Sequence, residues 1–146
     1  MIGAGCLAVL MLPFLLVGFV LVRYSVRASV ASSTAESVLE ALAEDDVAAA
    51  VEEASSSRSD TEALRSELMG GGLIGIGAPE CQSPSHGFPL DRYWGSSMWV
   101  SCTWTAPMGN SVSSVVVCEP SGLSCPVESV GTDGYDDWGG RRVVHF

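Results

Sequence analysis

Four cysteines in the C-terminal half of the chain, Cys81, Cys102, Cys118 and Cys125, are the residues whose types and spacing could most readily do chemistry. Joined by His86, they offer the soft and imidazole ligands that zinc favours. No Cys-x-x-Cys pair is present, however, and the spacings fit no common zinc finger. In an exported domain these thiols are expected as disulfides; in a cytoplasmic one, as a zinc site. A hairpin centred near residue 110 sets Cys102 opposite Cys118, whereas one centred between Ser121 and Gly122 sets Cys118 opposite Cys125. Two pairings follow, Cys118–Cys125 with Cys81–Cys102 and Cys102–Cys118 with Cys81–Cys125. The short loop between Cys118 and Cys125 closes easily, and directly opposed disulfides on central strands are geometrically awkward, which favours the first.

Other constellations carry less. Asp133, Asp136 and Asp137 could gather oxygen around calcium, but they lack the alternate spacing of an EF-hand loop and read as an acidic surface turn. The two histidines, His86 and His145, accompany no Gly-x-Ser-x-Gly elbow. Residues 70–77 are glycine-rich without the Lys-Ser/Thr of a phosphate loop. No catalytic residue, resident metal, cofactor or small-molecule substrate is expected, and the chain reads as a non-enzyme. Trp94, Trp99, Trp104 and Trp138 all lie beyond residue 93. Trp99 and Trp104 fall on opposite faces of an alternating strand, so part of this set is expected to form a partner surface on a small head.

These residues need elements to position them, and the first is a membrane anchor. Residues 2–22 contain no charge, and a helix of that length crosses about 30 Å of hydrocarbon. No basic segment precedes the apolar core, and the core is long for a cleavable signal. An uncleaved anchor is therefore expected, and the missing basic segment also fits a start upstream of Met1. Cys6 precedes the apolar core, whereas a lipidated cysteine follows one. Pro13 is read as a proline tolerated within a membrane helix.

Orientation divides the signals. Arg23 and Arg27 follow the span and favour a cytoplasmic C-terminal side, while the four cysteines favour export, and long domains translocate with less regard for flanking charge. Export is the reading adopted. The chain carries 17 acidic residues against 7 arginines, a formal charge of −10. That balance repels phosphate backbones and disfavours nucleic acid as a partner. Membrane lipid is an expected partner, as are other helices, either through self-association with sister copies or from other components.

Beyond the membrane, Val26, Val30, Thr34, Val38 and Leu42 recur every fourth residue, widened by Ala31, Ala35 and Leu39. The stripe predicts a helix running on to about Ala43, with Val26, Val30, Val38 and Leu42 as a helix-packing surface against either the protein's own head or a partner helix. Asp45-Asp46 caps a short continuation through Ala54, and Ser55-Ser56-Ser57 forms a hinge. A capping box, Ser59-x-x-Glu62, opens a helix that ends at Met69 before Gly70-Gly71-Gly72. Residues 73–89 read as loop. From Ser97 the period becomes two: Met98, Val100, Cys102 and Trp104 share one face, and Trp99, Ser101, Thr103 and Thr105 the other. Pro107-Met108-Gly109-Asn110 makes a turn before a strand over 112–118, with a third near Val127 and a last over 141–146. The expected fold is α+β: an anchor over 1–23, an amphipathic stem over 24–54, a short helix and linker over 55–89, and a disulfide-bonded antiparallel head over 90–146.

The run Ala8-Val9-Leu10-Met11-Leu12-Pro13-Phe14-Leu15-Leu16, continued to Val22 and followed by Arg23-Tyr24 and an Ala/Ser-rich helix, resembles the N-terminal segment of TadE/TadG-like proteins, pilin-like components of the bacterial tight-adherence pilus. The resemblance covers about residues 5–54. It implies a membrane stem, an extracytoplasmic head and a role in assembling or priming a surface pilus. The chain departs from pilin-like precursors in one respect: five residues after Gly5 stands Leu10 where such precursors carry glutamate, and the first acidic residue is Glu36. A cytoplasmic-facing zinc module, or a membrane receptor or phage-encoded protein of unrelated role, is the alternative.

Overall fold

The computed structural model describes residues 4–82, 97–105, 111–121, 123–132 and 142–146. Three helices lead into five strands: α1 (Ala4–Ala43), α2 (Val47–Glu53), α3 (Thr61–Gly70), β1 (Glu80–Gln82), β2 (Met98–Thr105), β3 (Ser111–Cys118), β4 (Val127–Thr132) and β5 (Arg142–His145). The architecture is the expected long apolar helix followed by a small, disulfide-bonded antiparallel head.

Helix α1 runs through Pro13 for 40 residues, about 60 Å at ~1.5 Å per residue. It stops where Asp45 takes a left-handed conformation (φ 60) and the Asp46 amide reaches back to the Ala41 carbonyl at 2.9 Å. Aspartate tolerates that region because its short polar side chain can bond locally. Asp46 then caps α2 by accepting from the Ala49 amide. In α3 the cap is Asp60, whose carboxylate accepts from Ala63, and not the Ser59 of the expected box. An aspartate one residue nearer the helix competes well for the same orphan amides. At the other end Gly72 adopts φ +70, and the Leu73 amide bonds to Leu68 across the turn.

The strands form one meander, in the order β1-β2-β3-β4-β5, every neighbour antiparallel. Two expectations require correction. Part of the segment read as loop is structural: Leu73 and Ile76 are core residues, and residues 80–82 form the edge strand β1. In addition, Cys102 lies opposite Ser114 and Cys118 opposite Met98, so the hairpin centres near residue 108 and not 110. An even slip of register leaves every side chain on its face, so alternation by itself cannot choose between the two. In the next hairpin Cys118 faces Val127 and not Cys125, with an irregularity that leaves Glu128 as an extra residue.

Met98, Val100, Cys102 and Trp104 of β2 are buried on the inner face, together with Val116 and Cys118 of β3 and Val130 and Val144 from β4 and β5. Against this face lie Ala31, Ala35, Val38, Leu39 and Leu42 of α1, all fully buried. Ala31 and Ala35 take little room on this stripe, and the larger Val38, Leu39 and Leu42 fill the core toward the C-terminal end of the helix. Helices α2 and α3 close the core with Ala50, Leu64 and Leu68.

Candidate functional site

Helix α1 divides into two halves by burial. From Met11 to Val22 the apolar side chains stand in solvent, with Phe14 at 75% and Leu15 at 70% exposure. From Ala28 onward one stripe is sealed into the head. Among the described residues one helix is long and apolar enough to cross a membrane, Met11–Ala43 by its apolar stretch. Among the described residues none covers the exposed stretch from Met11 to Val22.

The expected packing surface is split by this division. Val38 and Leu42 are fully buried within the chain's own core, so for these two the surface packs on the protein's own head, one of the two environments left open for the stripe. Val26 is 44% exposed, and Val30 is half-buried against the core. The physical reason is geometric: the buried stripe follows Ala28, Ala31, Ala35, Val38 and Leu42, and the helical twist carries Val26 off it toward solvent. Beside this stripe, Tyr24, Ser25, Ala28, Ser29, Ser32, Ser33 and Glu36 line an open groove of about 380 Å³.

The cysteines are joined as Cys81–Cys102 and Cys118–Cys125. The first bond links the edge strand β1 to β2, where the two residues face each other directly. The second closes the turn between β3 and β4, braced by the Ser121–Ser124 bridge. Among the tryptophans, Trp104 is a core residue at 3% exposure, which removes it from the expected partner surface; Trp99 stands out on the opposite face at 58%. The cause is the period-two alternation of β2, which turns one indole inward and the other outward. Trp94 and Trp138 lie outside the described residues, as do His86, Asp133, Asp136 and Asp137. His145 is exposed on β5. Among the described residues no group of three or more histidine, cysteine or acidic side chains is placed to hold a metal ion.

Two arginines absent from the sequence-based expectations tie the helical layer together. Arg58 forks onto both carboxylate oxygens of Glu67, and its Nη1 also donates to the His145 carbonyl on β5 at 2.6 Å. Arg65 makes a bidentate pair with Asp45 at the end of α1. The hydrogen bond from Arg58 holds the Glu67 carboxyl below its ordinary value, and the Glu67 and Asp45 carboxylates raise Arg58 and Arg65 above theirs. No sequence motif marks these partners, because they are brought together by the fold from 9 and 20 residues apart. The Oγ atoms of Ser32 and Ser114 and the Trp104 Nε1 are buried without a hydrogen-bond partner among the described residues.

Comparison with protein-family models, with curated proteins and with solved structures finds no match to this chain.

Proposed function

We propose that this chain is a single-pass, membrane-anchored protein with an extracytoplasmic head, acting as a pilin-like component in the assembly or priming of a bacterial surface pilus. One observation carries the reading. A single helix exposes apolar side chains from Met11 to Val22 and is sealed into a compact head from Ala28 onward, which is how a rigid stem presents a domain above a bilayer. The pairing of all four head cysteines supports the outer side of the membrane, where disulfides persist. The exposed stretch leaves room for neighbouring helices within the bilayer, and Val26 with the outward Trp99 offers contacts beyond it. The resemblance of residues 5–54 to TadE/TadG-like proteins supplies the pilus in this reading.

A second reading rests on Arg23 and Arg27, which follow the span and favour a cytoplasmic head. Two fusions after Phe146 separate the readings. Alkaline phosphatase, active only outside, should work, and a reporter that matures only in the cytoplasm should stay dark. The reverse outcome establishes the cytoplasmic head and removes the pilin-like role. Given an external head, co-purification with other pilus subunits after crosslinking in cells tests the assembly role itself.

A further inference from the structure

We infer that the outer face of the sheet, centred on Trp99 and Val115, is a docking surface for a basic amphipathic helix of a partner protein. The inference concerns the head alone and holds on either side of a membrane.

Three observations support it. The first is an apolar patch on the face that the chain's own helices do not use, since α1, α2 and α3 close over the inner one. On the outer face the register sets Trp99, Val117 and Ser129 in one row, and Ser101, Val115, Gly131 and Val143 in the next. Trp99 is 58% exposed and Val143 49%. Ser129 has a small side chain and Gly131 none, so β4 forms a furrow between the valines of β3 and Val143 on β5. Such a furrow receives the ridge of a helix. The second observation is size. Trp99 to Thr103 spans about 16 Å along β2, and the sheet is about 19 Å wide from β1 to β5. Three helical turns match that length, and a helix about 10 Å across fits the width. A contact this small belongs to the weak, reversible class of interfaces. The third observation is charge. Three exposed carboxylates border the patch. Glu80 lies beside Thr103 on the edge strand β1. Glu119 follows the inward Cys118 and its amide still bonds to Pro126, so alternation turns it outward. Glu128 is the exposed extra residue next to Ser129. Among the described side chains no arginine stands on this face, and His145 is its one other ionisable group. An apolar centre with an acidic rim complements an apolar ridge flanked by lysine or arginine. The same rim disfavours a second copy of this chain, which carries a formal charge of −10 itself.

The test uses the full oxidised chain in neutral detergent micelles. The probe is a Leu/Lys peptide patterned as an amphipathic helix, with a benzophenone on its apolar face. Light-driven crosslinks, mapped by mass spectrometry, should fall on the outer face around Trp99, Val115 and Val143 and should decline as salt is raised. Trp99→Ala should lower their yield about thirtyfold at subsaturating peptide, while leaving the thermal midpoint and both disulfides unchanged. Glu119→Gln with Glu128→Gln should weaken binding and flatten its salt dependence. Crosslinks that fall only elsewhere, such as on Met11–Val22, or an outer-face yield that survives Trp99→Ala, overturn the docking surface. A Leu/Glu peptide of the same pattern captured equally well overturns the basic partner. Loss of crosslinks as the protein is concentrated at a fixed peptide ratio shows a second copy on the face and overturns it as well.

Discussion

Replacing Leu42 by alanine should destabilise the head by about 2–5 kcal/mol. Leu42 has no exposed surface and packs in the core that α1 shares with the sheet. Its carbonyl accepts from the Gly75 amide at 3.1 Å, fixing the segment that delivers Leu73 and Ile76 to the same core. That backbone bond survives the substitution, so the cost is the lost side-chain burial plus the cavity left behind. Against a typical domain stability of about 5–15 kcal/mol this is a large fraction. Urea unfolding of the oxidised full chain in detergent, followed by the fluorescence of buried Trp104, measures it. Val26→Ala, at a 44% exposed position on the same helix, should change stability by less than about 0.5 kcal/mol. Both midpoints should be unchanged when the protein concentration is raised tenfold, because Leu42 is buried within one chain. A cost for Leu42→Ala below about 1 kcal/mol refutes the packing of the stem on the head. So does a cost that appears only through a concentration-dependent midpoint, which places Leu42 between chains.

The two disulfides should differ in weight. Chain-entropy arguments assign about 3.4 kcal/mol to Cys81–Cys102, whose partners are 21 residues apart, and about 2.5 kcal/mol to Cys118–Cys125, 7 apart; serine pairs at each bridge, compared by urea midpoint, should rank in that order. The two tryptophans of β2 should separate more sharply: Trp104→Ala should cost about 3–5 kcal/mol, and Trp99→Ala should leave the thermal midpoint nearly unchanged. A pH dependence follows from Glu67, whose carboxyl is held below its ordinary value by Arg58. A depressed carboxylate contributes its stabilisation in full above the ordinary value of 4.5 and loses it as pH falls through the lower value in the folded chain. Glu67→Gln should therefore flatten the acid limb of the stability profile, and an unchanged limb would show that the Arg58 contact contributes nothing.

The sequence by itself determined the elements whose signal is local. An uncharged run over 2–22 announces a helix long and apolar enough to cross a membrane whatever it packs against, because the signal lies in local composition and length. Alternation over 98–104 assigned the faces of β2, and the structure turns Met98, Val100, Cys102 and Trp104 inward and Trp99 outward. Gly72 is one of the few residues able to end α3 with a positive φ. What only the tertiary structure decided are the relations between elements. The hydrophobic stripe of α1 could be buried against a sister helix or against its own sheet with equal periodicity. The structure buries Val38 and Leu42 in the chain's own core and leaves Val26 outside. Hairpin register was invisible for a related reason, since an even slip keeps every side chain on its face. Arg58 and Arg65 found Glu67, His145 and Asp45 only because the fold brought them within reach. Period fixes which face of an element is apolar; the distances that decide what meets that face exist only once the chain has folded.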